Sequence, residues 1–254
     1  MNTAPGIAGD SRRRVVNLGC GPKVSPHPDV LNIDWSIYLR FRANELLRRL
    51  PPLVLRGERL QRYRGLPSNI LAHDLSRGIP LPGDSADVVY HSHVLEHIDR
   101  DRVRAFQFEV RRVLKAGGVQ RIVVPDLEIL ARRYLASLEA ARAGAGRRPG
   151  HDESVVDLLE QSVRRDAAAA RSLTGWRRSI YTTVFGDARR RGETHQWMYD
   201  SENLAALLRD CGFREVEVVA FDRSRIPGWS AYGLDVDASG RQYKPDSLYI
   251  EAVR

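Results

Sequence analysis

The sequence lacks any apolar run of the roughly 18 to 20 residues needed to cross a bilayer, and its first residues, MNTAPGIAGDSRRR, are polar. Such a beginning has no apolar core of the kind found in secretory signals. Cysteine is also scarce: Cys20 and Cys211 are the only two, too few for a framework of disulfide bridges. We therefore expect a cytoplasmic protein with reduced thiols and a flexible tail over residues 1–14.

Lysine is the second scarce residue. Only Lys23, Lys115 and Lys244 are lysines among 40 basic residues, so arginine supplies nearly all of the formal net charge of +8. A basic surface can attract nucleic acid, anionic lipid or a phosphorylated substrate. The arginine bias of a GC-rich genome gives the same composition, and the charge alone therefore selects no partner.

Short apolar runs bounded by turn residues alternate with helical patterns along most of the chain. This alternation predicts an α/β fold with a parallel sheet flanked by helices. One helix is predicted over 103–114, stopped by Gly117 and Gly118, and another between an N-cap at Ser201 and a stop at Gly212. The predicted strands are 15–18, 30–33, 70–72, 86–90, 121–124, 216–219 and 248–253.

A long region without a strand signal separates the fifth predicted strand from the last helix. Helical patterns occupy 129–141 and 155–170, and the Gly/Arg/Pro segment 143–150 between them predicts a surface loop. Because this insertion follows the carboxyl end of a strand, where open α/β sheets bind ligands, we predict that it forms a helical lid. The predicted divisions are a tail (1–14), a core (15–128), an inserted cap (129–196) and a segment completing the sheet (197–254).

Two glycines follow the first predicted strand, in the run NLGCG at 17–21. Glycines at this spacing allow the backbone to approach a nucleotide-like ligand closely. A dinucleotide site calls for a third glycine where this chain has Val24, which disfavours a nicotinamide-dependent oxidoreductase. Asp34 ends the second strand, where its carboxylate can accept hydrogen bonds from both hydroxyls of a ribose.

Four sequence blocks resemble class I S-adenosylmethionine (SAM) dependent methyltransferases. They are NLGCGP, LNIDW, HDLSRGIPLPGDSADVVYHSHVLEHI and EVRRVLKAGGVQRIVVPDLE, which together cover most of residues 15–128. The later run THQWMYDSENLAALLRDCGFREVEV is similar to bacterial methyltransferases associated with sugar and polysaccharide biosynthesis. The resemblance implies SAM as cofactor and a Rossmann-like, doubly wound sheet of seven strands, the last of them antiparallel.

The resemblance also implies where the methionine part of SAM lies. Its backbone contacts would come from the glycine turn, at Gly19, Cys20 and Gly21. Ser92 and His93, at the end of the fourth strand, would lie next to the same methionine end.

The adenosine part is implied to lie further along the same edge. Asp34 would hold the ribose, with Trp35 beside the adenine. Asp74 would hydrogen-bond the adenine amino group, with Leu75 packed on the ring. Pro22 departs from the family pattern, in which a small residue often precedes another glycine, and the short path to Asp34 predicts that the first connecting helix is short or absent.

Methyl transfer to a hydroxyl requires removal of the hydroxyl proton, a task that suits imidazole near neutral pH. The predicted catalytic residues are His195, where the insertion rejoins the core, and His97, which follows the fourth strand. The alternatives are a buried, backbone-bonded role for His195 and a packing or helix-capping role for His97. Glu96 and Asp126 are weaker candidates for the base.

His93, Glu96 and His97 fit H-x-x-E-H, a zinc-peptidase pattern in which both histidines share one helix face. Since His93 is predicted at a strand end rather than inside a helix, we predict no metal site. Metal-assisted methylation of a sugar, using these histidines with Asp126, is the alternative left open.

Two further segments suggest contact surfaces. Trp197, Tyr199 and Trp229 are candidates for an apolar or sugar-stacking wall, with core packing as the alternative. The segment 38–55 is apolar on one face and rich in arginine. It predicts either a helix packed on the sheet or peripheral contact with an anionic membrane.

The predicted activity is SAM-dependent methylation of a hydroxyl on a small or sugar-containing molecule, by a monomer or homodimer. RNA methylation is the alternative that the positive charge favours. However, VPDL ends the fifth strand in place of Asn/Asp-Pro-Pro-Tyr, and nucleic acid is not the expected partner. A non-catalytic SAM-binding scaffold is the remaining alternative, which would bind the cofactor without turnover.

Overall fold

The structure, a computed structural model, describes residues 14–36, 39, 41–42, 56–65, 69–144, 148–161 and 195–254. Its strands are β1 (Val15–Leu18), β2 (Val30–Asp34), β3 (Ile70–Ala72), β4 (Ala86–Ser92), β5 (Leu114–Pro125), β6 (Arg214–Val219) and β7 (Ser247–Val253). They form one sheet in the order β3-β2-β1-β4-β5-β7-β6, in which β7 runs antiparallel to β5 and β6. The predicted α/β, Rossmann-like sheet of seven strands with an antiparallel last strand is confirmed.

Five α-helices are described: α1 (Glu58–Arg64), α2 (Val103–Val113), α3 (Leu127–Arg142), α4 (Arg148–Gln161) and α5 (Ser201–Asp210). Short 3₁₀ helices cover Leu75–Arg77, Leu95–His97 and Trp229–Tyr232. None of the helices in the described ranges combines the length and apolar character that a membrane span requires. Cys20 and Cys211 are both buried free thiols.

The end of α2 and the start of α5 each differ by one residue from the predicted boundaries. Leu114, predicted at the end of a helix, is the first residue of β5, since it pairs with Ala86 of β4. Ser201, predicted as an N-cap, is the first residue of α5. The cap is Asp200, whose carboxylate accepts from the Asn203 backbone while the Asn203 side chain accepts from the Asp200 backbone. This reciprocal capping box satisfies two otherwise unpaired N–H groups.

The region predicted as an inserted cap is described only in part. The predicted helix at 129–141 is found within α3. The predicted loop over 143–150 is shorter than expected, because α4 begins at Arg148. Residues 162–194 lie outside the described residues, as do residues 1–13 and most of 38–55, so the lid, the tail and the membrane contact stay predictions.

Both faces of the sheet are buried, because successive apolar residues of its central strands point to opposite faces. Val16 and Leu18 of β1 pack in the cluster that contains the buried stripes of α2 and α5. Val15 points the other way, into a cluster formed with Tyr90 of β4 and the 3₁₀ helix Trp229–Tyr232. A stretch between β6 and β7 therefore closes the second face.

The connection between β1 and β2 has no helix, as predicted, and two buried asparagines organise it instead. Asn17 Nδ2 donates to Asn32 Oδ1 (2.9 Å) and to the carbonyl of Lys23 (3.0 Å). Asn32 Nδ2 donates to the carbonyl of Ser25 (2.9 Å), and Asn32 Oδ1 accepts from the Ser25 N–H (3.2 Å). Side-chain amides thus satisfy backbone groups that a helix would otherwise pair.

A buried ion-pair network fastens the closing stretch to the sheet. Arg121 of β5 is 0% exposed, yet its guanidinium lies 2.7 Å from Asp235 and 2.7 Å from Glu251. Asp235 also accepts hydrogen bonds from Tyr90 Oη (2.8 Å) and Trp229 Nε1 (2.6 Å). Three of its members are charged and buried, so loss of one of these charges leaves a buried charge with fewer partners.

We expect Asp235→Ala to lower the free energy of unfolding by about 3–5 kcal/mol, because it strips a charge partner from the buried guanidinium of Arg121. Urea denaturation at fixed pH measures the change. The matched control is Asp210→Ala, which removes an ion pair of the same 2.7 Å length to Arg104 at the surface and should cost at most about 1 kcal/mol. Equal losses in the two variants would contradict the structural role of the buried network.

Candidate active site

The glycine turn lies at the carboxyl end of β1 and is pinned to β2. The N–H groups of Gly19 and Cys20 donate to the carbonyl of Ile33, at 2.8 and 3.2 Å. Gly19 and Gly21 adopt φ of 61° and 50°, the left-handed region that favours glycine. Gly19 also packs against the segment after β4, where a Cβ would lie only 2.6 Å from Val94 Cγ2.

The carboxylate of Asp34 lies directly against this turn. Its Oδ2 accepts from the Gly21 N–H at 2.8 Å, and its Oδ1 accepts from the Ser36 N–H at 2.7 Å. Trp35 follows it, with 46% of its surface exposed. The predicted ribose-binding residue and the predicted glycine turn are therefore in direct contact, with an exposed aromatic ring beside them.

The end of β3 meets the end of β2. The N–H of His73 donates to the carbonyl of Asp34 (3.0 Å), which brings Asp74 to the same edge of the sheet. Asp74 caps the 3₁₀ helix Leu75–Arg77 through a hydrogen bond from the Ser76 N–H (3.0 Å). Leu75 is half-buried and packs against the main core. The structure thus places the predicted adenine-side residues next to the predicted ribose-side residue.

Ser92 and His93 lie where β4 ends. The Ser92 hydroxyl is buried and makes no hydrogen bond within the described part of the chain. His93 has φ of 53°, its Nε2 lies 3.0 Å from Ser247 Oγ, and its Nδ1 lies 3.3 Å from Glu96 Oε1. Burial lowers the pKa of His93 to about 3, with the positive charges of neighbouring Lys244 and histidines adding to the effect, so its ring is neutral at pH 7.

The two predicted catalytic histidines come from distant parts of the chain and meet. His97 ends the 3₁₀ helix Leu95–His97, and its ring centre lies 4.8 Å from that of His195, edge to face. Backbone hydrogen bonds hold the two segments next to each other. The carbonyl of Glu96 accepts from the N–H groups of Gln196 (2.6 Å) and Trp197 (3.3 Å), which fixes the chain around His195 beside the end of β4.

Glu96 lies under this histidine pair and is 0% exposed. Neither oxygen of its carboxyl group has a hydrogen-bond partner among the described residues. Burial raises the pKa of Glu96 to about 8, although the positive charge of Lys244 acts in the opposite direction. A carboxyl group in this position is therefore protonated at neutral pH unless a cation reaches it.

Three ligand-type side chains converge here. One ligand atom from each of Glu96, His97 and His195 lies within 4.8 Å of the others. Glu96 was only a weak candidate for the base in the sequence, and Lys244 was no candidate at all. Lys244 lies far along the chain from His93, and no local pattern signals that its charge reaches this site.

The predicted aromatic wall is not assembled. Tyr199 is buried in the main core, whereas Trp229 packs in the separate cluster on the other face of the sheet, so the two rings do not share a surface. Trp197 is partly buried, and the guanidinium of Arg100 lies 3.7 Å from its ring centre. Asp126 caps α3 by accepting from the Glu128 N–H at 2.9 Å. That structural role explains Asp126 without catalysis.

The edge of the sheet thus carries a glycine turn, the aspartates Asp34 and Asp74, and a histidine pair beside a buried carboxyl group. Residues 30–122 match the family model described as a methyltransferase domain. The methyltransferase-domain match begins at the first residue of β2 and ends within β5. It therefore contains Asp34, Asp74 and His97, but neither the glycine turn nor His195. The match covers less than half of the chain.

Solved structures similar to this chain include SAM-dependent methyltransferases from three organisms. The protein from Archaeoglobus fulgidus is 15% identical over 96% of this chain and 87% of its own, with a TM-score of 0.40. That from Mesorhizobium loti is 18% identical over 95% and 90%, with a TM-score of 0.41. That from Methanosarcina mazei is 17% identical over 95% and 92%, with a TM-score of 0.42. No curated protein matches the chain.

We expect Gly19→Ala to destabilise the protein by about 1–3 kcal/mol more than Gly21→Ala. Both substitutions place a side chain in the left-handed region, at about 1–2 kcal/mol each. Only the methyl group at position 19 also collides with Val94, whereas nothing lies within 4 Å of the position of a Cβ at Gly21. Urea denaturation of the two variants measures the difference, and equal stabilities would show that Gly19 does not pack against Val94.

Proposed function

We propose that this chain is a SAM-dependent methyltransferase that transfers a methyl group to a hydroxyl of a small or sugar-containing molecule. The observation that carries the proposal is the contact between the glycine turn and the Asp34 carboxylate at the carboxyl edge of a parallel sheet, where α/β proteins bind ligands. The methyltransferase-domain match supports the donor. The neighbouring histidine pair supports a hydroxyl acceptor.

The donor side follows from the hydrogen-bonding capacity of Asp34. A carboxylate offers about four lone-pair positions, and backbone N–H groups of Gly21 and Ser36 use two of them. The remaining positions suit the two hydroxyls of a ribose. In this proposal the methionine end of SAM crosses Gly19, Cys20 and Gly21 toward Ser92 and His93. The adenine lies between Trp35 and the Asp74–Leu75 pair.

The acceptor side requires a group that removes a proton as the methyl group moves. The acceptor oxygen attacks the methyl carbon in line with the breaking carbon–sulfur bond, and the electron pair of that bond leaves with sulfur to give S-adenosylhomocysteine. An imidazole nitrogen of His195, with His97 as the alternative, accepts the hydroxyl proton. His93 is neutral and partly buried, and in this proposal it lies between the donor and these two rings.

Calorimetry with S-adenosylhomocysteine tests the donor side. We expect Asp34→Ala to weaken binding by about 10- to 100-fold or more, because two charge-assisted hydrogen bonds to the ribose are lost. Asp34→Asn should lie between this variant and the wild type, since its amide keeps one acceptor oxygen. Asp210→Ala, which alters a surface carboxylate of α5, is the control. Wild-type affinity in Asp34→Ala would contradict the proposed donor site.

Transfer from radiolabelled SAM to a panel of phenols, sugars and nucleotide sugars tests the acceptor side. We expect His195→Ala to lower kcat by about 100- to 10,000-fold while leaving the affinity for S-adenosylhomocysteine unchanged. Total RNA, assayed at several salt concentrations, is the competing acceptor. Label transferred only to RNA would contradict the small or sugar-containing acceptor. Cofactor binding without transfer to any member of the panel would favour a scaffold.

A further inference from the structure

The cluster of Glu96, His97 and His195 has a feature that proton transfer does not require. Its carboxyl group is wholly buried and accepts no hydrogen bond of good geometry from the described residues: Oε2 has no partner, and Oε1 has only His93 Nδ1 at 3.3 Å and His97 Nε2 at 3.9 Å. A buried carboxyl oxygen without a hydrogen bond is costly, and an ion or water bound at the site is one explanation for such a group in a native protein. One nitrogen of each of the two imidazole rings lies within 4.8 Å of the other ring's nitrogen and of an oxygen of this carboxyl group.

We propose that Glu96, His97 and His195 bind one divalent transition-metal ion, with zinc as the ion of best fit. Two imidazole nitrogens and one carboxylate oxygen are the donor set of many three-ligand zinc sites, in which a fourth position stays open. Magnesium and calcium prefer sites made almost wholly of oxygen ligands. The donor set therefore selects a borderline-soft ion rather than a hard one.

The spacing fits such an ion after small side-chain rotations. Ligand atoms about 2.1 Å from a tetrahedral zinc ion lie roughly 3.4 Å from one another. In the structure the His97 Nε2 to Glu96 Oε1 distance is 3.9 Å, and all three ligand atoms fall within 4.8 Å of one another. Side-chain rotations of the two partly buried rings would have to shorten the longest of these distances by about 1 Å.

Neighbouring residues hold the proposed ligands close together in the absence of the ion. The backbone hydrogen bonds from Gln196 and Trp197 to the Glu96 carbonyl hold the two contributing segments together. His93 Nδ1 lies 3.3 Å from Glu96 Oε1, and its other nitrogen lies 3.0 Å from Ser247 Oγ. Outer groups of this kind orient the ligands in metal sites.

This set differs from the H-x-x-E-H pattern in the sequence. We predicted no metal there because His93 is predicted at a strand end rather than inside a helix. That pattern needs His93 and His97 as ligands on one helix face. The structure instead places His93 at a strand end with φ of 53°, and it supplies His195 from the distant C-terminal segment as the second imidazole. The ligand set is therefore visible only in three dimensions.

Metal binding itself does not depend on the proposed methyl transfer, but its consequence does. A histidine that ligates a metal cannot accept a proton through the same nitrogen. In the loaded protein the open position on the ion would bind the acceptor hydroxyl and lower its pKa. His195 and His97 would then hold the ion, and in the metal-loaded protein the hydroxyl proton would pass to solvent water instead of to an imidazole nitrogen, as it does in the metal-free proposal.

The test uses the full chain, purified without a histidine tag, stripped with a chelator and studied without SAM or acceptor. Equilibrium dialysis measures zinc binding, and a Co²⁺ titration followed by visible absorption reports the ligand geometry. We expect one equivalent of Zn²⁺ and the intense bands of a four-coordinate cobalt site, with no saturable binding of Mg²⁺. Less than one equivalent of zinc, or only the weak bands of hydrated cobalt, would overturn the proposal.

Variants locate the ion. We expect His195→Ala and Glu96→Gln each to weaken zinc binding by about 100-fold or more, whereas His151→Ala, at a histidine on α4 outside the cluster, leaves it unchanged. Should Glu96→Gln fail to fold, His195→Ala together with His97→Ala decides. Unaltered zinc affinity in the cluster variants would refute the site. Because calorimetry with S-adenosylhomocysteine is independent, zinc binding without cofactor binding would refute only the proposed function, and the reverse would refute only the metal site.

Discussion

Two buried asparagines, Asn17 and Asn32, hold the connection between β1 and β2 in place of a helix, and the arrangement of the candidate site depends on them. Their amides bind each other and the backbone at Lys23 and Ser25, so the glycine turn is fixed beside the end of β2. Gly21 then donates to Asp34 itself. The carboxylate that faces the proposed ribose is therefore oriented before any ligand binds, which reduces the entropy lost on binding.

His93 connects the two halves of the candidate site. It follows β4 at the edge that also carries the glycine turn, and its ring lies against Glu96, whose carbonyl anchors the segment beginning at His195. The methyltransferase-domain match ends before that segment. In the proposed function, the matched part of the chain supplies most of the donor site. Residues beyond the match then contribute to choosing the acceptor, an arrangement in keeping with folds that host many activities.

The sequence predicted the sheet well, because strands buried on both faces leave short apolar runs between turn residues. It also predicted, from the short path between Gly21 and Asp34, that the first connecting helix is short or absent. It did not predict that Arg121 is a buried cation. An arginine in a strand is expected to be exposed, and only the structure shows that Asp235 and Glu251 lie beside it. The meeting of His97 with His195 was equally hidden, since it depends on backbone contacts between distant segments.

A crystal structure of the chain with S-adenosylhomocysteine tests the central claim most directly. The account predicts both ribose hydroxyls within about 2.5–3.2 Å of the Asp34 carboxylate, with the homocysteine part lying across the glycine turn toward His93. Ligand bound elsewhere, or bound at this edge without contact to Asp34, would contradict it.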